Sequence, residues 1–190
     1  MGALRSTRNW SFPRFSQQFS GRLSGRPAAN RRRRAIINID SSGLGSDSWP
    51  VSVAWRILDT GREGHVLIKP APTWHGWDEE AEEIHGISRA RLDREGLAPA
   101  EAAQEIATAL RGLEVHSDAP ALDQMWLDKI FADAAHLAVP ALRRYGDLFP
   151  GAARRDYQAL VREVGDQAAD WKALADIRRL AAAVTLYERG

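Results

Sequence analysis

One stretch constrains this chain more than any other: Ala35 to Gly45, reading A-I-I-N-I-D-S-S-G-L-G. It is an apolar run with two polar residues two apart, closed by a Ser/Gly turn. Side chains of a strand alternate between its faces, so Asn38 and Asp40 point one way and Ile37 and Ile39 the other. Burying polar groups without partners is costly, so a buried strand needs a purpose for such a face. Two readings follow. The stretch is a central strand presenting metal ligands, or it is a strand end where Asp40 starts a turn with Ser41, Ser42 and Gly43.

Composition narrows the setting. The length of 190 residues predicts one domain. The chain has no cysteine, which excludes disulfides and zinc–thiolate sites and fits a reducing, cytoplasmic location. No apolar run approaches the roughly 18 residues of a membrane span, so no membrane partner is expected. The net charge of +1 hides a split. Residues 1–34 hold nine Arg and no acid, which leaves 17 basic against 25 acidic residues over 35–190, a balance of −8. We therefore read 1–34 as a basic arm or leader and 35–190 as the folded domain. The arm's composition suits a disordered segment touching phosphates, an organellar transit peptide, or a leader added by an upstream start.

The domain reads as alternating strands and helices. Val51 to Leu58 and His65 to Lys69 follow the first strand through short turns, which predicts a three-strand antiparallel meander. A loop with Trp74 and Trp77 leads to an acidic helix over 78–84 and a short one capped by Ser88. Pro99 opens a third helix, running to about Arg111. Leu113 to Ser117 is a fourth strand, placed to lie parallel to the first. Asp123 is expected to open the next helix, and two more cover about 153–164 and 168–187. The plan is α/β, a mixed sheet flanked by helices.

Asn38 and Asp40 on the first strand, Asp123 past the fourth and Asp176 on the last helix are candidates to converge at one sheet edge. Oxygen ligands of this kind suit Mg²⁺ or Mn²⁺, and two such ions can cleave a phosphodiester. Equally, Asp123 alone is a good helix cap and Asp176 an ordinary helix-surface acid.

The order and wording of four segments go further. N-I-D-S-S-G-L-G before S-W-P-V-S-V-A-W, then P-T-W-H-G-W through I-H-G-I, then V-H-S-D-A-P-A-L-D-Q-M-W-L, then W-K-A-L-A-D-I-R-R-L resemble the motifs of a bacterial subgroup of the DEDD 3′–5′ exonuclease superfamily, of the DEDDh type. The likeness covers about 36–184 and implies a ribonuclease H-like fold, a Mg²⁺- or Mn²⁺-dependent site and a single-stranded RNA or DNA 3′ end as partner. Family members often form homodimers. The family's first-motif Asp and Glu fall on Asn38 and Asp40, and its later Asp residues on Asp123 and Asp176. Its general-base His falls on Trp171. By the same resemblance Ser42, Gly43 and Leu44 would contact the strand. Trp74 and Trp77 would stack bases or pack their loop.

The departures carry chemical weight. Asn38 is neutral and offers one carbonyl oxygen to a metal. Asp40 retracts its charge by one methylene relative to Glu. Trp171 cannot take a proton from water, and losing a general base costs roughly 10²–10⁴-fold. Asp118, at the end of the fourth strand, offers a carboxylate as a rescue, though the resembling subgroup carries an acid there too, and Asp170 points to a different helix face. The expectation is an exonuclease-like fold on single-stranded ends with activity weak or lost. The alternatives are a non-catalytic nucleic-acid- or protein-binding module and an active nuclease with a remodelled site.

Overall fold

The computed structural model describes residues 33–167, 169 and 171–190. The expected arm, apart from its last two residues, lies outside them, as does Asp170.

Strand β1 (Arg34–Ser41) is the centre of a five-stranded sheet of order β3-β2-β1-β4-β5. It pairs antiparallel with β2 (Pro50–Ile57), which pairs antiparallel with β3 (Glu63–Leu67). On its other side it pairs parallel with β4 (Glu114–Ser117). The meander and the parallel strand are therefore as the pattern predicts, and the fold is ribonuclease H-like. The sheet starts earlier than the arm's expected end. Arg34 is buried in β1, its guanidinium paired with Glu188 at 2.8 Å and its backbone amide donating to Asp59 at 2.8 Å.

A fifth strand, β5 (Leu142–Arg144), runs parallel to β4. Its three residues include two exposed arginines, so no alternation announces it. Pairing with β4 creates it, and the Gln124 side-chain oxygen accepts from the Leu142 amide at 2.9 Å.

Helices cover both faces. Helix α1 (Glu79–His85) is capped by Asp78, whose carboxylate accepts from the Glu80 amide. It ends at Gly86, whose φ of 70° is left-handed and suits glycine. Helix α2 (Arg89–Glu95) follows Ser88, and α3 (Pro99–Leu110) carries Pro99 in its first turn. Helix α4 (Pro120–Phe131) starts a turn before Asp123, because Pro120 supplies the φ a first helical residue needs. Helix α5 (Arg154–Val164) leads to α6 (Lys172–Arg189), which starts later than the pattern suggests, with Trp171 at its N-cap.

The alternation of β1 sorts two cores. Ala35, Ile37 and Ile39 pack with Ile106 of α3 and Trp126, Leu127 and Ile130 of α4. Ile36 packs on the opposite face with Ile177, Leu180 and Val184 of α6. Asn38 and Asp40 share the face of Ile36, so α6 covers the polar side of the strand. Among the described residues no helix is long and apolar enough to cross a membrane.

Candidate functional site

The site forms where β1 and β4 end and α4 and α6 begin. Cross-strand registry sets its floor. Asn38, Ala54 and His65 lie in one row across β1, β2 and β3, and Asp40, Ser52 and Leu67 in the next. Asp40 is spoken for. Its Oδ2 accepts from the Ser52 hydroxyl at 2.7 Å and from the Ala173 amide at 3.2 Å. That amide is one of the first-turn donors of α6 with no partner in its own helix, so Asp40 caps α6 from another element. Burial raises the Asp40 carboxyl above its ordinary value, and the two hydrogen bonds offset part of this.

Asp123 is buried, with 2% of its surface exposed. It does not cap α4; its Oδ2 accepts from the Ser117 hydroxyl, whose oxygen in turn accepts from the Ala119 amide at 2.9 Å. Burial pushes Asp123 up to about 7, against the Ser117 bond, with Asp118 and Asp40 adding like charge. Asp176 raises both Asp40 and Asp118. Asp40, Asp118, Asp123 and Asp176 are thus one electrostatic neighbourhood.

Asp176 is neutralised by its own helix. Lys172, one turn before it, donates to Oδ2, and Arg179, one turn after, donates to Oδ1 at 2.7 Å. Spacings of four and three residues stack these side chains on one face. Both carboxylate oxygens are therefore taken by cations.

Asn38 is half-buried and its amide has no hydrogen-bond partner among the described residues. Trp171 faces β3 and α2. The His65 ring stacks on it at 4.9 Å and 14°, and the Arg91 guanidinium lies 4.1 Å above it. Burial, then the Arg91 charge, pushes His65 down to about 4, so it is neutral at pH 7.

The strand-contact candidates separate. Trp74 is buried and stacked on Trp49 at 5.9 Å, within the core under α3 and α4. Trp77 is half-buried and donates from Nε1 to Glu82 at 2.9 Å. It shares a cleft of about 560 Å³ with Ser42, Gly43 and the exposed Leu44. That cleft is rimmed by Asp47, Asp78, Glu79 and Glu80.

The donor set does not fit a two-metal centre as it stands. No three His, Asp or Glu side chains among the described residues are grouped to hold an ion. Asp176 is saturated by cations and Asn38 is neutral. The sequence reading missed Lys172, Arg179, Ser52 and His65. The helical spacing around Asp176 could have revealed the first two, and strand pairing the others.

Neither a protein-family model nor a curated protein matches this chain. Solved structures do. A moderately thermophilic exonuclease I from Methylocaldum szegediense matches 84% of this chain and 41% of its own, at 20% identity and a TM-score of 0.61. A product-bound exonuclease I matches 84% of this chain and 44% of its own, at 16% identity and a TM-score of 0.64. This chain has the fold of the matched part of exonuclease I. The zinc-ion-bound form of an E. coli exonuclease I–ssDNA complex is similar over 84% of this chain and 41% of its own, at 15% identity and a TM-score of 0.62. The chain spans about two-fifths of the length of these exonuclease I structures.

Proposed function

We propose that this chain is a divergent DEDD-superfamily protein that engages single-stranded RNA or DNA 3′ ends and hydrolyses them weakly or not at all. The ancestral ligand positions are Asn38, Asp40, Asp123 and Asp176, with Trp171 at the general-base position. One observation carries the reading: Lys172 and Arg179 take both oxygens of Asp176. An ammonium and a guanidinium there supply the positive charge that a metal ion would bring, without its power to activate water. Mg²⁺ or Mn²⁺ must displace them to bind, so metal affinity is low. The likeness in fold to exonuclease I, including a complex with ssDNA, supports the nucleic-acid partner.

The test is an incubation of the full chain with Mn²⁺ and a 3′-labelled single strand, beside Asp123→Ala. The expected result is no trimming by either protein. Metal-dependent trimming that disappears in Asp123→Ala would overturn the inactive reading. That outcome would favour a remodelled active nuclease, a reading supported by the gathering of Asp40, Asp118, Asp123 and Asp176.

A further inference from the structure

Two openings flank the acid neighbourhood, and they differ in charge. The cleft at Ser42 to Leu44 carries four acids and repels phosphate. The other opening, about 730 Å³, is lined by Ser117 and Asp118 at the end of β4 and by Arg144, Arg154, Tyr157 and Arg162. We infer that this second pocket seats the backbone phosphates of the strand whose 3′ end lies at the acid neighbourhood. The inference rests on the nucleic-acid reading above and adds a direction of approach.

Three features support it. Arg154 and Arg162 are eight residues apart on α5, with Gln158 midway, so the three share one face of the helix. Both arginines are exposed and have no acidic partner among the described residues. Arg34, Arg56, Arg91 and Arg179, by contrast, are committed to Glu188, Glu63, Glu95 and Asp176. Arg144 bonds only Asp147, at 3.1 Å, and its side chain is 81% exposed, so it is free to exchange that partner for a phosphate. Guanidinium groups grip phosphate in a two-pronged geometry. The pocket also adjoins the acid neighbourhood, because Asp118 lines it and so does Ser117, which bonds Asp123.

The experiment measures fluorescence anisotropy of labelled oligothymidylate and oligouridylate, about ten nucleotides long, with chelator present and salt varied. The proteins are the full chain, Arg154→Ala/Arg162→Ala, and the control Arg94→Ala/Arg155→Ala. The Arg-rich segment before Arg33 is common to all three. The control removes the same charge from exposed positions outside the pocket. In the pocket variant, affinity for both strands is expected to fall about tenfold, and the salt slope by about 1.4, for two phosphates released. The control should keep most of both. Wild-type binding with an unchanged slope in the pocket variant overturns the pocket alone. An equal loss in the control also overturns it, since binding is then diffuse. If the wild type binds neither strand, the nucleic-acid reading falls and the pocket with it.

Discussion

Asp123 and His65 titrate in opposite senses, and each can be read through stability. Burial lifts Asp123 to about 7, so the folded chain keeps a proton that the unfolded chain releases near an ordinary carboxylate value. Its contribution is full below that ordinary value and is lost as pH rises through 7. Asp123→Asn should therefore gain on the wild type by roughly 2–4 kcal/mol between about pH 4 and about pH 8, measured by urea melts at both ends. His65 is the reverse case. Its folded value is pushed down to about 4, so its contribution is present above 6.5 and lost as pH falls through 4. His65→Phe preserves a ring against Trp171 and removes the unpartnered buried Nε2. Its stability relative to the wild type should rise as pH falls through that window; melts showing a constant difference would refute the assignment. Little of this was legible in the sequence. Alternation placed Asn38 and Asp40 on one face, and the motifs ordered Asp123 and Asp176. Yet His65 lies 27 residues from Asn38 and joins its row only through two strand pairings.

Helix α6 is the element on which the site turns. Its first turn hands an amide to Asp40, its second holds Asp176, and its apolar face packs on Ile36. Removing the two cations should expose what they do. In Lys172→Ala/Arg179→Ala the Asp176 carboxylate is left beside Asp40 and Asp118, so the melting temperature is expected to fall in chelator. Mn²⁺ should recover part of that loss, while leaving the wild type unmoved; calorimetry gives both. No Mn²⁺ response in the variant would mean these carboxylates do not form an ion site even when freed. On the far side of the sheet, the Trp55 ring lies over Gly64, where an added Cβ would approach to 2.3 Å. Gly64→Ala should cost about 1–3 kcal/mol through overpacking, measured by denaturant unfolding. Elements with their own pattern were legible: β1 to β4 and the spans of α3 and α5. Strand β5 and the start of α6 were not, because β4 and Asp40, both remote in sequence, define them.

At the scale of the whole molecule, the ribonuclease H-like fold rests on one sheet with an apolar core on each face, Ile37 in one and Ile36 in the other. On the proposed function, Asn38 and Trp171 also carry a historical consequence. Asn38 lies in the row next to Asp40, in a neighbourhood that already holds four carboxyl groups. An acid at position 38 brings a further negative charge to a place whose two cations are occupied. Asn38→Asp alone should therefore lower the melting temperature in chelator. On the proposed function, hydrolysis would then need several substitutions at once, among them release of Asp176 and replacement of Trp171. Drift one residue at a time would meet a loss of stability before any gain of chemistry, so on that reading a hydrolytic site here is easier to leave than to regain.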